Sequence, residues 1–225
     1  MTRLPRPAIC FVTPGRVRSS AEGQDVRDLV RLVVRAATAG ANLIQIRERE
    51  MPDRALLGLV GRILAEVDRS RALVVVNERA DIAMAAGADG VHLRAQGVAP
   101  SRLRPIVPEG FVIGRSVHST DEAVAAEAAG GGDYLIFGTV FPSASKPADH
   151  PVAGIERLRE VCASVRLPVI AIGGITTARF PEVAAAGAAG VAAIGMFVES
   201  DRAGAKAATE LVQRAQRAFA TESRA

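Results

Sequence analysis

The sequence predicts a (β/α)₈ barrel, and three observations lead there. Short apolar runs alternate with longer amphipathic stretches along the whole chain, and eight such pairs fit in its 225 residues. The runs are built of Val, Ile, Leu and Ala with few polar interruptions, as expected of parallel strands covered on both faces. A small repeat also recurs: Ala-Gly-Ala-Asn at 39–42, Ala-Gly-Ala-Asp at 86–89, Ala-Gly-Gly-Gly-Asp at 129–133 and Ala-Gly-Ala-Ala at 186–189. Each copy sets glycine at a helix end just before the next strand. Eight βα units in this length suit a closed barrel better than an open doubly wound sheet. No Gly-x-Gly-x-x-Gly follows the first run, which argues against a dinucleotide fold.

In order, Ala8–Val12 reads as the first strand and Gln24–Ala39 as a helix stopped by Gly40. Asn42–Arg47 is the second strand, with a helix over Asp53–Arg69 after Pro52. Ala72–Val76 is the third strand, followed by a short helix to Ala86. Asp89–Leu93 is the fourth, and Pro100–Val107 holds a short helix broken at Pro105. Phe111–Arg115 is the fifth strand and Asp121–Ala129 its helix. Asp133–Phe137 is the sixth, trailed by a long polar loop to about Val152 and a helix over Gly154–Ser164. Pro168–Ile172 and Thr177–Ala186 form the seventh pair. Gly190–Ile194 and Arg202–Phe219 form the eighth. One domain over residues 1–225 is expected, with Thr221–Ala225 frayed.

Apolar residues make up 49% of the chain, enough for a large core, while the net charge of +4 is small and its charges are interspersed. No basic block or aromatic platform supports nucleic-acid binding; the mild bias suits an anionic metabolite better. No apolar run nears the ~18 residues of a membrane span, and the first residues carry no export signal. Cys10 and Cys162 lack metal-ligand spacing and read as reduced core thiols. A cytoplasmic protein is expected, with no nucleic-acid or membrane partner.

In such a barrel, chemistry belongs at the C-terminal strand ends. Gln45 and Arg47 alternate around Ile46 and so share a face. Arg47 is then an anion clamp or a structural ion pair with Glu48, Glu50 or Glu78. Ile172-Gly173-Gly174-Ile175-Thr176 and the corner at Gly195 suit a phosphate, which would meet backbone N–H groups at helix starts. Ser143, Ser145 and Lys146 in the loop after the sixth strand add hydroxyls and a cation. Ser116 and His118 close the fifth strand, where imidazole is a candidate acid/base. His92 reads as a packing residue or supporting donor, and His150 as an exposed loop residue. No metal cluster stands out, and Glu78 is the one acid well placed among the strand ends.

Six segments in this order resemble the thiamine phosphate synthase/thiazole tautomerase family: QIRERE at 45–50, VNER at 76–79, ADGVHL at 88–93, IGRSVHS at 113–119, DYLIFGTVFPSASK at 133–146 and PVIAIGGIT at 168–176. The resemblance covers roughly residues 8–215 and implies a (β/α)₈ barrel. It implies one of two activities. The synthase joins an aminopyrimidine pyrophosphate to a thiazole phosphate with Mg²⁺. The tautomerase isomerises a carboxythiazole phosphate to its aromatic form without a metal.

Synthases carry Gln, Arg and Lys on the second strand; here the residues are Gln45, Arg47 and Arg49. Their Asn-Asp after the third strand is Asn77-Glu78 here, and the position of a second metal-binding Asp is Gly97. That loss, with the likeness of IGRSVHSTDEA to the tautomerase branch, favours a thiazole tautomerase using His118 as proton shuttle, with Ser116 beside it. Gly173, Gly174 and Gly195 would hold the phosphate and Arg47 the substrate carboxylate. The expected partner is a small phosphorylated thiazole, no cofactor is expected, and a homo-oligomer is allowed. The alternatives are the synthase, with Glu78 holding Mg²⁺, and a non-catalytic regulator that binds a thiazole or pyrimidine phosphate.

Overall fold

Eight parallel strands close into a barrel in sequence order, from β1 round to β8. They are β1 Ala8–Val12, β2 Leu43–Ile46, β3 Leu73–Asn77, β4 Gly90–Leu93, β5 Val112–Val117, β6 Tyr134–Phe137, β7 Val169–Ile172 and β8 Gly190–Ala193. The computed structural model describes residues 4–17, 23–143, 147 and 149–222. The outer helices are α1 Gln24–Ala39, α2 Asp53–Glu66, α3 Ala80–Ala86, α4 Pro100–Leu103, α5 Thr120–Ala129, α6 Gly154–Ser164, α7 Phe180–Ala185, α8 Gly195–Arg202 and α9 Ala205–Glu222.

Strand parity sorts two cores. Cys10, Leu43, Val75, Val112, Tyr134 and Ile170 fill the barrel, whereas Ile9, Ile44, Val74, Ile113, Leu135 and Val191 pack outward beneath the helices. The short repeat has a physical purpose at the bottom of the barrel. Asn42 Oδ1 accepts from Ile9 N at 2.8 Å, Asp89 Oδ2 from Val74 N at 2.8 Å, and Asp133 Oδ2 from Ile113 N at 2.7 Å. In three of the four copies the residue after the glycine turn thus satisfies an N–H of the preceding strand. The fourth copy has Ala189, which can only use its backbone, bonding Val169 O at 2.7 Å.

Two expectations need correction at the C-terminal end. The last helix does not begin at Arg202. A separate helix, α8, starts at Gly195, and Gly204, at φ 103°, breaks it from α9. The seventh helix is also split: a 3₁₀ turn over Thr177–Arg179 precedes α7, where Pro181 lies in the first turn and can donate no backbone N–H. Among the described residues no helix is long and apolar enough to cross a membrane. Cys10 is buried inside the barrel and Cys162 is half-buried, and both are free thiols.

Candidate active site at the barrel mouth

β2 and β3 bring an amide pair to the mouth. Gln45 is buried at 4% exposure, and its Nε2 donates to Asn77 Oδ1 at 2.9 Å. This leaves the Gln45 carbonyl and the Asn77 amide N–H groups free of partners among the described residues. No described side-chain N or O atom is both buried and unpaired, so these free groups face solvent. They offer one acceptor beside one donor.

Arg47 follows one residue past β2, half-buried, and forms no ion pair among the described residues. Burial lowers its pKa first and the neighbouring Arg49 second, against the opposing charges of Glu48 and Glu78. Glu48 makes no direct ion pair with it; its carboxylate is engaged elsewhere. Glu48 is 2% exposed and accepts from Gly15 N at 3.0 Å and Val17 N at 2.9 Å, pinning the loop after β1. Thr13 Oγ1 accepts from Arg47 N at 2.8 Å and completes that brace. Arg49 is exposed and, with Asn77, Glu78 and Met51, lines a cavity of about 210 Å³.

Glu78 has φ 63°, in the left-handed region that side chains rarely adopt. Its carboxylate meets Arg94 at 2.6 Å, from the turn after β4. Gly97 in that turn supplies no side chain. Among the described residues, no three His, Cys, Asp or Glu side chains gather as metal ligands. A Mg²⁺ that binds together with substrate phosphates takes only one or two carboxylates, so Glu78 fits as a one-carboxylate holder.

β5 carries Ser116 inward, and its Oγ lies 2.9 Å from His92 Nε2. His92 Nδ1 in turn lies 3.2 Å from the Tyr134 hydroxyl. His92 is 2% exposed, and burial lowers its pKa to about 3, so the ring is neutral. Tyr134 reaches over β5 to His92 because Gly114 has no side chain: a Cβ there would lie 2.1 Å from the Tyr134 ring. His118 comes one residue after β5 and is exposed, not held in the strand. Its Nδ1 donates to the Gly138 carbonyl at 2.6 Å, so in the neutral ring Nε2 is the acceptor nitrogen. Glu122 accepts from the His118 backbone N–H at 2.7 Å. Ser116 and His118 therefore point to different partners.

The loop after β6 folds back over β7. Val140 N donates to Ile172 O at 2.9 Å and Phe141 N to Gly173 O at 3.0 Å. Gly174, at φ 61°, sits so close that a Cβ would meet Pro142 O at 2.2 Å. The glycines at 173 and 174 are thus required by this loop whatever they bind. Ser143 is half-buried, while Ser145 and Lys146 lie outside the described residues. His150 is half-buried, not exposed, with its Nε2 3.3 Å from Thr139 Oγ1. Gly195 opens α8, whose first intrahelical bond is Val198 N to Ile194 O, so the N–H groups of residues 195–197 lack helical partners. Sequence reasoning missed Thr13, Tyr134, α8 and the bracing role of Glu48. Strand parity carried a signal for Tyr134, which shares its face with the inward Ile136.

Together these features define a closed barrel whose mouth combines an amide pair, guanidinium groups without ion pairs among the described residues and helix-start N–H groups, a set of donors that suits an anion. The thiamine monophosphate synthase family profile matches residues 11–197. The chain is 46% identical over 176 residues to thiamine-phosphate synthase of Methanoculleus marisnigri, covering 78% of this chain and 82% of that one. It is 42% identical to a putative thiamine-phosphate synthase of Geobacter sulfurreducens, over 76% and 80% of the two chains. The solved thiamine phosphate pyrophosphorylase of Pyrococcus furiosus superposes with a TM-score of 0.79 at 32% identity, covering 95% of this chain and 98% of that one. The chain belongs to the thiamine monophosphate synthase family, a family of thiamine-biosynthesis enzymes.

Proposed function

We propose that the chain is a thiamine-phosphate synthase, a transferase that joins an aminopyrimidine pyrophosphate to a thiazole phosphate and releases pyrophosphate. The relatives named above support the transferase over the isomerase that the sequence motifs put first. The observation that carries the reading is the Gln45–Asn77 pair. An aminopyrimidine presents a ring-nitrogen acceptor beside an amino donor, the complement of the free Asn77 N–H and Gln45 carbonyl. Arg47 and Arg49 lie on the same strand end, where their charge would bind the pyrophosphate and stabilise it as it leaves. Holding both substrates in one geometry removes much of the entropic barrier to joining them. A bound Mg²⁺ would add neutralising charge on the leaving group, with Glu78 holding it. Gly173, Gly174 and the start of α8 remain for the thiazole phosphate.

The test is product analysis by mass spectrometry after the purified protein meets both substrates and Mg²⁺. Formation of thiamine phosphate supports the proposal; unchanged substrates refute it.

One observation favours a second reading, the thiazole tautomerase. The His118 Nδ1–H bond to Gly138 makes Nε2 the acceptor nitrogen of the neutral ring, as a proton-abstracting base needs. If this reading holds, the carboxythiazole phosphate aromatises without metal, and His118→Asn abolishes the activity.

A further inference from the structure

We infer that Tyr134 and His92 form a fixed hydrogen-bond relay that makes Ser116 a hydrogen donor at the barrel mouth, so that Ser116 selects for an acceptor atom on the ligand. Tyr134 is fully buried, and among the described residues its hydroxyl has one hydrogen-bond partner, His92 Nδ1 at 3.2 Å. If the phenol accepted from Nδ1–H, its own hydrogen would be buried with nothing to receive it, which carries the cost of an unsatisfied buried donor. Donation from Tyr134 to Nδ1 avoids that cost. A neutral imidazole then carries its single hydrogen on Nε2.

Nε2–H in turn donates to Ser116 Oγ, 2.9 Å away. One serine lone pair is thereby occupied from below, and the serine hydrogen is left to point elsewhere. Ser116 is half-buried near the C-terminal end of β5 and has no other partner among the described residues. The hydrogen therefore faces the mouth. The two rings are held for this purpose: they stack with centroids 5.6 Å apart, and Gly114 gives Tyr134 the room. Burial keeps His92 neutral, so the relay does not reverse across the working pH range. His92 and Tyr134 act through Ser116 and are positioning residues.

The first readout needs no substrate and so does not depend on the proposed reaction. Long-range ¹H–¹⁵N NMR of the unliganded wild type should find His92 neutral with hydrogen on Nε2, unchanged from roughly pH 5 to 8. A wild-type His92 with hydrogen on Nδ1 overturns the relay, whatever the protein catalyses. Tyr134→Phe keeps the ring and removes the donor; in it the Nε2–H form should give way to a mixture of tautomers. An unchanged Nε2–H form in Tyr134→Phe also overturns the relay. Where synthase turnover is present, Tyr134→Phe should lower kcat/KM about tenfold, the value of one hydrogen bond. Ser116→Ala should lose more, and the double variant should be no worse than Ser116→Ala alone. Additive losses would mean that Tyr134 serves the core only.

Discussion

Gln45 and Asn77 meet through a single amide hydrogen bond of 2.9 Å between neighbouring strands, and that bond decides which of their atoms are free. Asn77→Asp is the sharpest probe. It keeps an oxygen for Gln45 Nε2 but turns the free donor into an acceptor. Losing one hydrogen bond and leaving the pyrimidine nitrogen unpaired costs about 1–3 kcal/mol. We expect kcat/KM to fall about 5- to 150-fold, with the urea midpoint nearly unchanged. Steady-state kinetics with the aminopyrimidine substrate varied checks this.

Glu48 braces the site without entering it. Its carboxylate holds two backbone N–H groups of the loop after β1, and Thr13 in the same region holds Arg47 N. Glu48→Ala should destabilise the fold by about 1.5–3 kcal/mol, the range for hydrogen bonds to a charged group. Urea denaturation of the two proteins measures it. The loop should loosen with it, raising KM for the pyrophosphate substrate more than it lowers kcat.

His92 gives the protein an acid-sensitive term. Its pKa is depressed in the fold, to about 3 from a usual 6.5, so the unfolded chain binds a proton that the folded chain refuses. Stability from this group is fully present above about pH 6.5 and falls as pH drops toward 3. Between pH 8 and 5.5 the loss is about 1.4 kcal/mol. In His92→Gln that part of the slope should vanish. Denaturant titrations of both proteins at the two pH values read the difference directly.

Arg94 holds the Glu78 carboxylate at 2.6 Å, although its own side chain is 70% exposed. Such an exposed pair adds little stability, so Arg94→Ala should leave the melting temperature within about a degree or two. It should instead release Glu78 for a cation. One unit charge removed at about 4 Å in water changes the interaction by ~1 kcal/mol, so the Mg²⁺ concentration for half-maximal turnover should fall about fivefold. Glu78→Gln should raise it.

The barrel was legible because its signals are local. Apolar runs, glycine stops and the Asn/Asp that opens β2, β4 and β6 all lie within a few residues of what they determine. Partners across the barrel were not legible. Ser116 was visible as an inward hydroxyl, but His92 and Tyr134, which orient it, come from β4 and β6 and meet it only through strand register. Glu48 misled because a carboxylate next to Arg47 in sequence points to the opposite side and binds a loop from 31 residues earlier. α8 was missed since Gly195 reads equally well as a phosphate loop and as a helix start, and the break at Gly204 lies inside a continuous amphipathic pattern. The motif around His118 put a tautomerase first, whereas the relatives at 42–46% identity carry the synthase name.

Pyrophosphate release separates the transferase from the isomerase. The protein is given the aminopyrimidine pyrophosphate and the thiazole phosphate, with Mg²⁺ in one arm and a chelator in the other. The account predicts pyrophosphate formed in step with thiamine phosphate, dependent on Mg²⁺ and weakened in Glu78→Gln. No pyrophosphate in either arm, alongside metal-independent aromatisation of the carboxythiazole phosphate that His118→Asn removes, would contradict it.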